Sequence, residues 1–282
     1  LRQRLGRYLQ RKSPRRRPIF RSFCCSTVLL ACAAAQAEKP PAITLIIDDM
    51  GNHADYGERA LSLDGRVTYA FLPHTPHARR LAERAHSEGK EVMLHLPMHS
   101  HDGGRLGPGA LTLHMTEQAF KRTIAANIAA VPHVVGLNNH MGSLLTRHPG
   151  AMAWLMQVLN QYPGMFFIDS RTTRATVAQQ LALEYDVPNT RRNVFLDNDR
   201  NPARIRANFL QLVRQAREQG FAVGIGHPYP ETVNTLRNEL RRLGEHGVRL
   251  IGAADMVALQ RRSDRWQESS SPSPKVAKNS KQ

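Results

Sequence analysis

The residues best suited to chemistry in this chain are carboxylates and imidazoles that each close a short apolar run. Ile43-Thr44-Leu45-Ile46-Ile47 ends in Asp48-Asp49, Val92-Met93-Leu94 in His95, and Val134-Val135-Gly136-Leu137 in Asn138-Asn139-His140. Phe166-Phe167-Ile168 ends in Asp169-Ser170-Arg171, and Ala222-Val223-Gly224-Ile225-Gly226 in His227. Any one of these has an ordinary explanation: a strand-end Asp often caps the next helix, and a lone His is more often a packing residue than a ligand. Five of them on one rim make a site. Two imidazoles and a carboxylate from separate strands form an open three-ligand set, suited to zinc or another divalent transition metal with a position left for water. Side chains alternate along an extended strand, so Asp48 and Asp49 cannot both reach one metal without a bend at the strand end. The natural division makes one a ligand and the other a base or an orienter of a neighbouring group. Metal-assisted attack of water on a carbonyl is the reaction class that follows. Serine hydrolysis is weak, because no Gly-x-Ser-x-Gly elbow is present and Ser143 has no evident base.

Positioning these residues requires strands whose C-terminal ends converge. Apolar, β-rich runs at 42–49, 67–73, 91–98, 134–140, 165–170, 221–227 and 248–253 alternate with amphipathic stretches at 77–88, 116–130, 149–161, 202–219 and 231–246. Gly89, Gly220 and Gly247 stand where helices end, and Thr116 is a candidate N-cap. Strands alternating with helices imply parallel pairing through right-handed crossovers, which gathers the strand ends on one rim. The expected fold is α/β, an incomplete or distorted seven-stranded (β/α) barrel, with an open doubly wound sheet as the alternative. No internal repeat and no Gly-rich phosphate loop are found.

The net charge of +16 over 282 residues suggests a nucleic-acid binder until it is divided along the chain. Residues 1–37 hold nine Arg/Lys and no Asp/Glu, and residues 261–282 hold six against two. The remaining 38–260 hold 24 basic and 21 acidic residues, too small a surplus for a phosphate-binding groove, so nucleic acid is not an expected partner. The basic head runs into an apolar stretch at 22–35 and then Ala35-Gln36-Ala37, the pattern of a secretory signal cleaved after Ala37. This predicts export to the periplasm or cell envelope of a bacterium. An uncleaved anchor, or lipidation at Leu29-Leu30-Ala31-Cys32, are the alternatives, so any membrane contact runs through this segment. Cys24, Cys25 and Cys32 all lie in it, which excludes disulfides, thiolate metal sites and a Cys nucleophile from the domain at 38–260. The Ser/Pro/Lys-rich stretch at 261–282 reads as a disordered basic tail.

Five segments carry a resemblance. Ile46-Ile47-Asp48-Asp49-Met50-Gly51, Leu94-His95-Leu96-Pro97-Met98, Asn138-Asn139-His140-Met141-Gly142-Ser143, Phe167-Ile168-Asp169-Ser170-Arg171-Thr172 and Gly226-His227-Pro228 resemble the divergent polysaccharide deacetylases, in order and over residues 42–256. That family is a branch of the NodB-like carbohydrate esterases of bacterial envelopes. The resemblance implies one divalent metal, zinc by the donor set, and an acetylated envelope glycan whose N- or O-acetyl groups are removed by metal-activated water. It also implies Asp48 as base, Asp49 as metal ligand and His227 as acid, with His95 as a second ligand. The third ligand is His140 or His99. The His95-x-x-x-His99 spacing matches the wider superfamily, but the divergent branch is marked by Asn-Asn-His-Met-Gly-Ser, and His99 opens a polar, Gly-rich loop, so His140 is preferred. The Arg-x-Pro-Tyr segment of typical members is absent and Asn139-His140-Met141-Gly142 stands in its place, which makes Asn139 a substrate-binding candidate. Asp169 and Arg171 are expected to orient a ligand or contact an acyl or carboxylate group, or else to form a local ion pair beside a turn. The missing segment and an aromatic content of only 6% motivate a second class: an envelope protein that keeps the fold to bind a glycan or protein partner without turnover. His53 is the outside candidate for an extra site residue; Asp197-Asn198-Asp199-Arg200, after the short apolar Asn193-Val194-Phe195-Leu196, is either another rim loop or, more simply, the cap of the helix beginning near Pro202.

Overall fold

Strand β1 (Ala42–Met50) is buried at every position but Asp49 because both of its faces are covered, as in a parallel sheet, and it is apolar up to its end except at Thr44. The computed structural model describes residues 39–270; the expected export signal and residues 271–282 lie outside these. The other strands are β2 (Thr68–Phe71), β3 (Glu91–Met98), β4 (Val134–Met141), β5 (Phe166–Asp169), β6 (Asn189–Arg191), β7 (Val194–Phe195), β8 (Phe221–Gly226) and β9 (Arg249–Leu250). All pair in parallel, in the order β6-β5-β4-β3-β2-β1-β8-β7, with β9 added beside the first two residues of β1. The helices are α1 (Ala54–Leu61), α2 (Ala78–Ser87), α3 (Glu117–Ala130), α4 (Pro149–Leu159), α5 (Ala178–Glu184), α6 (Pro202–Gln219), α7 (Pro230–Arg241) and α8 (Ala253–Ser270). The sheet curls into an open barrel, the expected α/β architecture.

Alternation along the strands divides the core in two. Ala42, Ile46, Ala70, Met93, Ile168, Val223 and Ile225 face inward and pack on one another. Their neighbours Ile43, Leu45, Ile47, Tyr69, Phe71, Leu94 and Phe167 face outward into the helix layer. Ala253, Met256 and Val257 of α8 join the inner cluster, and the start of α8 is tied to Thr68 and Glu91, the first residues of β2 and β3. The N-terminal end of the barrel is thereby plugged, and the C-terminal rim is left for the site. Gly136 on β4 lets the Phe166 ring cross the interior, since a Cβ there would lie 2.4 Å from that ring.

The sheet has nine strands where seven were expected. The additions, β6 and β7, are three and two residues long and carry no periodic signal of their own. They form because the edges of β5 and β8 offer unpaired backbone groups. Only Arg192 and Asn193 separate them: Arg192 N–H donates to the Asp169 carbonyl at 2.9 Å, and Asn193 N–H to the Val223 carbonyl at 2.9 Å. The chain thus steps across the barrel's seam in two residues. Helix α6 is capped by Asn201, whose Oδ1 accepts from Ala203 N–H at 2.9 Å, with Pro202 at its first position. It ends at Gly220, whose φ of 84° reverses the chain into β8. Helix α8 continues through Ser270, past the expected boundary at 261, because Arg261-Arg262-Ser263-Asp264-Arg265-Trp266 contains neither Gly nor Pro. No helix among the described residues is long and apolar enough to cross a membrane.

Candidate active site

Asp48, His95, Asn138, His140, Ser170 and His227 fall on the inward phase of their strands or one step beyond the strand end. Asp49 is out of phase, and the bend it needs is present. Its φ is +55°, the pairing of β1 with β2 slips between Ile47 and Met50, and its carboxylate turns back over the rim. This left-handed backbone is uncommon outside glycine and is tolerated best by Asp and Asn. Met141 (φ 55°) and Arg171 (φ 49°) make the same reversal at the ends of β4 and β5.

His95 Nε2 and His140 Nδ1 lie 3.2 and 2.9 Å from Asp49 Oδ1 and 3.1 Å from each other. Asp49 Oδ1 is buried and accepts no hydrogen bond. Three atoms with lone pairs converging on one point, one of them an orphaned carboxylate oxygen, fit a divalent cation. Ligands about 2.0–2.1 Å from a tetrahedral zinc stand roughly 3.3 Å apart, close to the spacing here. Burial alone would raise the Asp49 carboxyl, but the His140 and His95 rings outweigh it and hold it well below the ordinary carboxylate range. His99 is not part of this set. It follows the end of β3, its Nδ1 is buried without a partner, and its ring faces His114 at 5.9 Å.

Asn138 ties ligand to neighbour. Its Oδ1 accepts from His95 Nδ1 at 2.8 Å, which leaves Nε2 as the lone-pair nitrogen facing Asp49. Its Nδ2 donates to Asp48 Oδ1 at 2.8 Å. Burial drives the Asp48 pKa up, against the opposing pull of His95, His227 and the Asn138 bond. On the opposite wall, His227 Nδ1 donates to Asp197 Oδ1 at 2.9 Å, while Asp197 Oδ2 accepts from His227 N–H and from Thr232 Oγ1. His227 Nε2 stands 3.8 Å from Asp49 Oδ2. Burial disfavours charge on His227, but the Asp197 hydrogen bond and the negative charge of Asp197, Asp49 and Asp48 raise its pKa to about 9. Asp197 therefore serves the rim and does not cap α6, which Asn201 caps, and it sits two residues past the end of β7.

Asn139 lines the cavity between the ligands and His227, and both Asn139 and Asp169 also brace the loops around it. Asn139 Oδ1 accepts from Ser170 N–H at 2.9 Å and its Nδ2 donates to the Met141 carbonyl at 2.8 Å, bracing the β4 and β5 loops. Asp169 accepts from Arg171 N–H and Thr176 Oγ1. The local ion pair between Asp169 and Arg171 is not formed, since the bond goes to the Arg171 backbone. Arg171 lines a cavity of about 330 Å³ with Asp48, His95, His140 and His227. A smaller cavity of about 130 Å³, lined by Asp49, Asn52, Arg105 and His140, adjoins the same ligands. A cavity of about 350 Å³ beside α8 contains no imidazole or carboxylate. His53 precedes α1, with its ring 5.4 Å from Tyr56, and takes no part in the cluster. Asn138 and Arg192 were missed as site residues, and for Asp197 the sequence favours a helix cap first and a place on the rim only second.

The sequence model of the divergent polysaccharide deacetylases matches residues 45–257. The chain is 36% identical to the Escherichia coli K12 protein named "Uncharacterized protein YibQ" over 219 residues, 76% of this chain and 68% of that protein. It is 32% identical to an uncharacterized Haemophilus influenzae protein over 214 residues, 76% of each. The crystal structure of the uncharacterized protein ATU2773 from Agrobacterium tumefaciens superposes with a TM-score of 0.74 at 20% identity, covering 77% of this chain and 89% of that one, a likeness of fold. With that match extending from β1 into α8 and enclosing every strand-end residue described above, the chain belongs to the divergent polysaccharide deacetylase family.

Proposed function

We propose that this protein is an exported, zinc-dependent hydrolase that removes acetyl groups from an envelope polysaccharide. The observation that carries the reading is the Asp49–His95–His140 convergence with Asp48 and His227 on either side of it. A zinc ion held by those three residues supplies Lewis-acid activation of water and of the acyl oxygen. Asp48 takes a proton from the attacking water. Its burial makes it a stronger base than an exposed Asp, and the Asn138 bond fixes one oxygen so that the other faces the cavity. His227, with Nδ1–H anchored on Asp197, presents Nε2 to the cavity and carries a proton at neutral pH for the departing amine or alkoxide. Export rests on the basic head and apolar run of residues 1–37.

The test is acetate release from acetylated chitooligosaccharides and simple acetyl esters by the zinc-loaded chain. Turnover is expected to fall about 10²–10⁴-fold in Asp48→Asn with zinc retained. Turnover unchanged by that substitution would remove Asp48 as base. Zinc bound without acetate release from any acetylated substrate would return the protein to the binding class.

A further inference from the structure

Two arginines, Arg171 and Arg192, line the 330 Å³ cavity, and neither has a carboxylate within ion-pair distance among the described residues. Asp48 is the only carboxylate lining it among those residues, and it is held by Asn138 between two imidazoles. Arg192 is fixed rather than free. Its Nε donates to the Ser170 carbonyl at 2.6 Å and one Nη to the Arg171 carbonyl at 2.8 Å, and its guanidinium lies 5.0 Å from the centroid of the Phe195 ring. Its second Nη is left unspent. Beside it, Ser170 Oγ is buried, lines the same cavity and has no hydrogen-bond partner.

A half-buried cation costs free energy unless an anion meets it, and two of like charge cost more. A buried hydroxyl without a partner adds to that cost. Burial lowers the Arg192 pKa, and the neighbouring Arg171 charge adds to this, against the opposing charges of Asp48 and Asp169. All three groups are satisfied together by one planar anion with several acceptor lone pairs, which a guanidinium fork matches.

The geometry points to a substrate that carries a carboxylate close to its acetylated position, bound by Arg171 and Arg192 with Ser170 Oγ as an additional donor. The class is an acidic acetylated sugar, the acid being on the ring or on an ether or amide substituent. This rests on the proposed deacetylase reading, and the experiment separates the two. N-acetylmuramic acid oligosaccharides, their carboxyl methyl amides and N-acetylglucosamine oligosaccharides share one acetamide and differ in the carboxylate. Binding of each to the full zinc-loaded chain is measured by calorimetry, and acetate release is measured in parallel. The acid is expected to bind roughly ten- to a hundredfold more tightly than its amide, and Arg192→Gln and Arg171→Gln are each expected to erase that difference. Arg171 makes no side-chain hydrogen bond among the described residues, so its variant remains informative if Arg192→Gln unfolds. Equal binding of acid and amide, or a preference that survives Arg171→Gln, would overturn the inference. An Arg-dependent preference without acetate release would keep the anion site and remove the deacetylase reading. Acetate release from acid and amide alike, unaffected by either Arg variant, would do the reverse.

Discussion

Replacing Asn138 by Ala tests the way the metal ligand and the base are coupled. The side chain is fully buried and makes two hydrogen bonds of 2.8 Å, one to His95 Nδ1 and one to Asp48 Oδ1. Both partners are themselves at most 3% exposed, so water does not replace the lost bonds. Each stranded group costs about 1–3 kcal/mol, which places the loss of stability at roughly 2–6 kcal/mol. The effect on metal has a separate origin. Once Nδ1–H loses its acceptor, nothing holds His95 in the tautomer and orientation that aim Nε2 at Asp49, and losses of this kind cost about 10–100-fold in metal affinity. Urea unfolding of the metal-free chain reads the first quantity and chelator competition for zinc reads the second. Asn138→Asp serves as control: it keeps an acceptor for His95 but sets a second carboxylate against Asp48, so zinc affinity is expected to stay closer to that of the parent. Zinc affinity within about twofold of the parent in Asn138→Ala, at any stability, would refute the argument that this amide orients the ligand.

His140→Ala and Asp49→Ala are expected to abolish stoichiometric zinc, measured by plasma mass spectrometry, while His99→Ala retains it; the opposite pattern would exchange the third ligand. The proposed acid titrates near pH 9, so activity is expected to fall as pH rises through that value. Asp197→Asn leaves burial to act on His227 without its compensating charge, and the alkaline limb of the pH–rate profile is expected to move down by about one to three pH units. Gly136→Ala puts a Cβ into the Phe166 ring and is expected to cost about 1–3 kcal/mol of stability by chemical denaturation, with zinc binding unchanged.

The fold was readable wherever a strand was long enough to show its own pattern. β1, β3, β4 and β8 lie within a residue of their expected limits, and the expected 202–219 helix is α6, because Asn201-Pro202 and Gly220 punctuate it from outside. β6 and β7 were not readable, since strands of two or three residues exist through the edges they join. Within the site, the strand-end rule located the rim but did not sort residues on it. Alternation sorts them in part: Asn138 shares a face with His140 and Ser170 with Ile168, while Asn139 and Asp169 are out of phase, although Asn139 still lines the cavity. Asp197 follows the apolar Val194-Phe195-Leu196 as its counterparts follow longer runs, so a place on the rim was legible, but so brief a run left helix capping as the simpler reading. The turning of Asp49 into the site depends on its positive φ, which no spacing rule encodes.

The two-residue step at the seam bears on how length is tolerated along this chain. Between β6 and β7, Arg192 and Asn193 are each tied to a different edge of the sheet, so the distance they cover sets the width of the opening. Arg192, Phe195 and Asp197 all hang from this short bridge, facing residues carried by β1, β3 and β4. One inserted residue would shift that whole wall relative to His95 and Asp48 without touching any of the residues that do chemistry. At this point in the chain it is the count of residues, more than their identity, that calibrates the site.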